Sequence, residues 1–117
     1  MNNLVMAYLG DAVYELFIRE YLINKGICKV KDLQEESIKY VSAVSQRRIL
    51  EELINNNVLT DEEIDIVNKG RNASSHPSKT TDIVTYKKAT GLECLIGNLY
   101  NDNKDRCYEI LNRIVSE

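Results

Sequence analysis

Tryptophan is absent from this chain; histidine, phenylalanine and proline occur once each, and only five of the 117 residues are glycine. So little punctuation argues against many short strands joined by tight turns and favours long helices. No apolar run approaches the roughly 20 residues that cross a bilayer, and the N-terminus lacks the basic-then-apolar order of a secretory leader. Cys28, Cys94 and Cys107 are odd in number and without C-x-x-C spacing, so reduced thiols in a cytoplasmic protein are expected. The single histidine, His76, stands in a Ser-rich stretch far from any cysteine. Nucleophilic side-chain catalysis is therefore a poor expectation. The length suffices for one hydrophobic core and falls short of two, giving a single domain over 1–117.

What is present is ordinary in amount and uneven in distribution. Hydrophobic residues make up 44% and charged residues 28%, the usual balance of a soluble globular chain. The net charge of −3 speaks against a polyanionic partner, yet Lys69, Arg71, Lys79, Lys87 and Lys88 face only Asp82 between positions 69 and 88. Local fields, more than totals, steer polyanions. Charge alone leaves a nucleic-acid surface and a merely solvated basic face equally open.

Apolar spacing predicts helices almost throughout. The stretch from Leu4 to about Asn24 is apolar on most sides, as a central helix would be. Tyr8, Leu9, Ala12, Val13 and Leu16 are expected to form its buried wall, and Gly26 to end it. A second helix is expected from about Glu36 to Asn55 on Ile38, Val41, Val44, Ile49, Leu50, Leu53 and Ile54. Thr60 and Glu63 form a capping-box pattern opening a short helix that ends near Gly70. "GRNASSHPSKTT", 70 to 81, reads as the one real loop. Helix resumes from about Asp82 to Tyr100, and a last one from about Lys104 to Val115 turns Tyr108, Ile110, Leu111 and Ile114 inward. The fold class is all-α.

Two places disobey this pattern. In "YLGDAVYEL", Gly10 weakens a helix and Asp11 carries a charge into apolar company; in "ATGLECLIGNLY", Glu93 sits among Leu92, Cys94, Leu95 and Ile96 with Gly91 and Gly97 on either side. Glycine costs roughly 1 kcal/mol of helix propensity but lets two backbones approach closely. If the helices cross near Gly10 and Gly97, Asp11 and Glu93 converge. A partly buried carboxylate requires a cation partner, either Lys or Arg or a hard divalent metal. Glu15, four residues after Asp11 and so on the same face, is a possible third acid.

These segments carry a resemblance. "LGDAVYELFIRE" is similar to the signature segment of the ribonuclease III family; "GRNA" and "YKKATGLECLIGNLY" resemble downstream segments of its reduced bacterial branch, Mini-ribonuclease III. The likeness runs from Leu4 to the last helix. It implies a single ribonuclease III-type helical domain without a double-stranded-RNA-binding domain, the chain stopping where a full-length family member would continue into one. By position, the family's Mg²⁺-ligating acids fall on Asp11 and Glu93, which become the expected catalytic and metal-binding residues. Two further family acids are replaced by Ala7 and Thr90, which thins the carboxylate cluster.

The resemblance implies a Mg²⁺-dependent endoribonuclease acting on double-stranded RNA as a two-fold homodimer. Its implied substrate is the large-subunit (23S) ribosomal RNA precursor, with an accessory ribosomal protein as a candidate partner. Carboxylates suit that chemistry, since they hold a metal without competing as nucleophiles. Duplex RNA is read mainly by shape, through phosphates and 2′-hydroxyls, so Arg71, Asn72, Lys79, Lys87 and Lys88 become the expected RNA-binding residues, with Arg47 and Arg48 as weaker additions. The apolar first helix and the 92 to 100 stretch agree with dimerisation. Two competitors stand beside this reading: a non-catalytic ribonuclease III-like RNA-binding domain, suggested by Ala7 and Thr90, and a helical interaction domain whose acids are salt-bridged to Lys or Arg.

Overall fold

The computed structural model describes residues 2–74 and 82–116. Among them run six helices: α1 (Asn3–Asn24), α2 (Val30–Val41), α3 (Ala43–Asn55), α4 (Asp61–Ala73), α5 (Ile83–Asp102) and α6 (Lys104–Val115). Lys79 lies outside the described residues, as do His76 and most of the expected loop.

The centre of the molecule is α5, not α1. Helices α1, α3, α4 and α6 all pack against α5, which buries Leu92, Leu95, Ile96 and Leu99 into the main core. Helix α1 contributes the i, i+4 row Tyr14, Ile18 and Leu22, and its other side stays in solvent. Tyr8 is 83% exposed and Leu16 60%; Ala12 is also exposed, so the expected wall is largely an outer face. The row of i, i+4 residues continuing from Tyr14 through Gly10 to Met6 is the buried one, because only it presents a glycine where the partner helix comes closest.

Other expectations shift for local reasons. The helix expected over 36–55 is two helices separated at Ser42, whose extended backbone (ψ 152°) breaks the run while its Oγ accepts from the Ser45 amide at 3.2 Å. The first of the two, α2, already begins at Val30, and Ile38 and Val44 are exposed. Helix α4 does not stop at Gly70 but continues through Arg71 and Asn72 to Ala73. Gly70 serves contact here: a Cβ on it would lie 2.6 Å from the Cys94 Cβ, and one on Gly91 would lie 2.8 Å from the Val67 carbonyl oxygen. In α6 it is Cys107, not Tyr108, that turns inward with Ile110, Leu111 and Ile114.

The capping box at Thr60 and Glu63 forms as expected, with the Thr60 amide donating to Glu63 Oε1 at 2.9 Å and the Glu63 amide donating to Thr60 Oγ1 at 3.1 Å. The same carboxylate also receives Arg106 from α6, through Nε at 2.8 Å and Nη2 at 2.9 Å. Arg106 Nη2 donates in addition to the Val58 carbonyl at 2.7 Å, tying the start of α4 to α6.

The α1–α5 crossing is tighter than any other in the molecule. A Cβ on Gly10 would sit 1.8 Å from the Glu93 carbonyl oxygen, and one on Gly97 would sit 1.8 Å from the Met6 carbonyl oxygen. Main-chain atoms cannot rotate aside as a side chain can. Gly97→Ala or Gly10→Ala is therefore expected to cost at least about 3 kcal/mol, measured as a lowered urea midpoint. An unchanged midpoint would exclude this close approach.

Candidate active site

The crossing decides where the two anomalous acids go. Asp11 follows Gly10 directly, and Glu93 lies one turn before Gly97, so the seam brings both carboxyl groups to one corner. There Glu93 is within hydrogen-bonding reach of Asp11. Asp11 is exposed and Glu93 half-buried, giving the pair one wet side and one dry side.

The dry side sets the electrostatics. The Glu93 carboxyl is pushed from the ordinary 4.5 up to about 8, first by burial, then by the charge of Asp11 and the hydrogen bond between the two, with Glu15 adding a smaller repulsion. A hydrogen bond from Gln46 works in the opposite direction. Burial and the neighbouring Asp11 thus both favour the protonated form of Glu93. Among the described residues neither is in an ion pair with Lys or Arg, in contrast to Glu15, whose partner is Arg19 at 3.2 Å.

Positions 7 and 90 add nothing to the donor set. Ala7 is buried beside Met6 and Cys94, and the Thr90 hydroxyl donates to the Tyr86 carbonyl of its own helix at 3.0 Å. Among the described residues no group of three or more His, Cys, Asp or Glu side chains is arranged to hold a metal. A pair of carboxylates is what the corner offers.

The basic residues spread along α5 and its neighbours. Lys87 is half-buried with Gly91 one turn on, and the Arg71 stem lies over Gly91, where a Cβ would be 2.9 Å from Arg71 Cγ. Lys88 is drawn onto Glu51 of α3, Nζ to Oε2 at 2.6 Å. Arg47 approaches the same Glu51 at 3.5 Å and donates to Thr85 Oγ1 at 3.0 Å, so it belongs with Lys88 at the start of α5. Arg48 turns elsewhere, donating to the Lys39 carbonyl at 3.2 Å and pairing with Glu52 at 3.4 Å. Asn72 is exposed on the last turn of α4.

Sequence reasoning missed Gln46. It is only 4% exposed, and its Nε2 lies 3.5 Å from Glu93 Oε2. A lone glutamine in "VSQRR" reads as surface; only the packing of α3 against α5 shows where it points.

With this geometry in place, comparison with known proteins becomes decisive. Residues 4–104 match the Ribonuclease III domain. The chain belongs to the ribonuclease III family. The Mini-ribonuclease 3 of Staphylococcus aureus is 43% identical to it, over 99% of this chain and 88% of the relative. That of Acholeplasma laidlawii is 45% identical, over 96% and 90% respectively. An X-ray crystal structure of a Fusobacterium nucleatum protein superposes with a TM-score of 0.84 at 30% identity, covering 99% of this chain and 93% of that one. The all-α ribonuclease III fold expected from the sequence is the fold observed.

Because the folded-state pKa of Glu93 is raised, its contribution to stability is complete below about pH 4.5 and is lost as pH climbs through about 8. Metal-free protein is expected to lose stability across that window, by up to about 1.4 kcal/mol for each pH unit crossed. Glu93→Gln should flatten the loss, as followed by urea midpoints in EDTA between pH 5 and 9. An equal slope in both proteins would contradict the assignment.

Proposed function

We propose that this protein is a divalent-metal-dependent endoribonuclease that hydrolyses phosphodiester bonds in double-stranded RNA, with Asp11 and Glu93 as the metal ligands. One observation carries the reading. Two carboxyl groups from helices distant in sequence meet at the α1–α5 crossing, within hydrogen-bonding reach of each other, and have no cationic side chain to pair with them among the described residues. An interaction domain with salt-bridged acids would have supplied one.

The donor set suits Mg²⁺, which typically uses one or two protein carboxylates and completes its shell with waters and substrate phosphate oxygens. Bound there, the ion would supply a water of lowered pKa and neutralise charge on the scissile phosphate. The chain's own residues do the rest. A cation held there would require Glu93 in its charged form, which burial disfavours, so binding would strengthen as pH rises. Asp11, on the wet side, faces the approaching strand. The backbone contact at Gly10 and Gly97 fixes the two helices that carry the pair relative to one another.

Arg71, Asn72, Lys87 and Lys88, with Lys79 in the segment between, are read as the surface that follows the RNA backbone. Basic and amide side chains placed to follow phosphates and 2′-hydroxyls suit a substrate recognised by duplex shape. The precursor of the large-subunit ribosomal RNA is the substrate favoured by resemblance to the Mini branch. A ribonuclease III-like domain that binds RNA without cutting it is the second reading, favoured by Ala7 and Thr90 in place of acids.

Two strands call for two sites, and a two-fold dimer would supply them. The 92 to 100 stretch is already buried within one chain, which leaves α1 as the surface for a partner. Leu4, Val5, Tyr8 and Leu16 are exposed, and a cleft of about 610 Å³ lined by Val5, Tyr8, Asp11, Ala12, Glu15 and Asn101 runs along this face. A second copy seated on it would lie against the acidic corner.

Asp11→Asn and Glu93→Gln are expected to reduce Mg²⁺-supported cleavage of a duplex RNA about 100-fold or more while the fold and RNA binding persist. Cleavage by either variant at the wild-type rate would remove the site, and absence of cleavage by the wild type would favour the binding-only reading. Leu16→Glu should convert the dimer to monomer in sedimentation equilibrium; an unchanged mass would move the interface off α1.

A further inference from the structure

Gln46 reaches the acidic corner from α3. It is a polar residue with only 4% of its surface in solvent, and it uses that burial to aim Nε2 at Glu93 Oε2, 3.5 Å away. Its neighbours on α3 are the core residues Ile49, Leu50 and Leu53, a setting in which a leucine or methionine would be cheaper by the desolvation of an amide. The next residue, Arg47, carries a cation but is directed to Glu51 and Thr85. The helix thus presents a neutral donor to Glu93 and turns its charged neighbour away.

We propose that Gln46 is a positioning residue for metal binding: its carboxamide holds the Glu93 carboxylate in the orientation in which it and Asp11 would bind a divalent cation. This rests on the reading of Asp11 and Glu93 as metal ligands. The choice of an amide is the physical point. A Lys or Arg in its place would hold Glu93 as firmly, but it would also neutralise the carboxylate and compete with the ion. A neutral N–H orients the carboxylate and leaves its charge available. An aliphatic side chain would leave the Glu93 torsions free, so each binding event would have to order them.

The test is Gln46→Met, unbranched and close to glutamine in volume, with Gln46→Leu as a second variant, each alongside Asp11→Asn. Binding of Mg²⁺ alone is measured by calorimetry on RNA-free protein, and kcat and KM on a duplex RNA. The expected result is folded variants with Mg²⁺ affinity about 10-fold weaker or worse, kcat lowered in proportion, and KM for RNA unchanged. Wild-type protein gives an independent reading, since the Gln46 side-chain amide resonances should move when Mg²⁺ is added and stay fixed when it is added to Asp11→Asn. Mg²⁺ affinity and kcat within two-fold of wild type in either folded variant would overturn the proposal, as would amide resonances unmoved at saturating Mg²⁺. If Asp11→Asn itself binds Mg²⁺ and cleaves normally, the fault lies with the site; if Asp11→Asn fails and the Gln46 variants do not, it lies with Gln46 alone.

Discussion

Helices α1 and α5 touch through their backbones at Gly10 and Gly97, with no side-chain layer between them where they cross. Ordinary helix pairs are spaced 8–10 Å apart by the side chains at their contact. Here a single added carbon on either glycine would fall inside the van der Waals surface of a carbonyl oxygen. Two glycines in helix interiors cost roughly 1 kcal/mol each in propensity; the fold accepts that cost because only a bare backbone brings Asp11 within reach of Glu93. Everything attributed to the acidic corner follows from this contact: the partial burial of Glu93, its raised pKa beside Asp11 and the exposed edge.

The buried Glu63 and the half-buried Glu93 are perturbed in opposite directions. Glu63 is held below the usual carboxylate range, chiefly by hydrogen bonds from Arg106, which reaches it with two nitrogens. Glu93 is pushed up to about 8 by burial and by Asp11. Both accept a side-chain N–H, so the difference lies in the charge of the donor and the sign of the neighbour. The satisfied acid joins α4 to α6 and stabilises the fold. Glu93 has a neutral donor and no cationic partner among the described residues, so burial and the neighbouring acid leave its charged form disfavoured.

How far the sequence foretells this arrangement depends on whether the deciding contact is local. Capping at Thr60 and Glu63 is legible because its partners are three residues apart. The convergence of Asp11 and Glu93 is legible because each acid stands near a glycine in an otherwise apolar helix. Gly70 reads as a terminator because close packing and helix ending both call for a missing side chain, and only the position of Cys94 on α5 separates them. The break at Ser42 is hidden because one hydroxyl competes for the backbone within a run that keeps its apolar spacing. Tyr8 and Leu16 look like core because apolarity does not say which side of a helix is covered. Gln46 carries no signal: its role exists only once α3 lies against α5.

Helix α5 is also pressed by main chain from another side, since Gly91 meets the Val67 carbonyl of α4. A seam made of peptide groups has no rotamers to exchange. Packing in the leucine-rich layer can therefore loosen on warming, or drift as hydrophobic residues replace one another, without transmitting that slack to the acids. The geometry that matters most is guarded by atoms that every amino acid shares, so it is insensitive to most substitutions and intolerant of a very few.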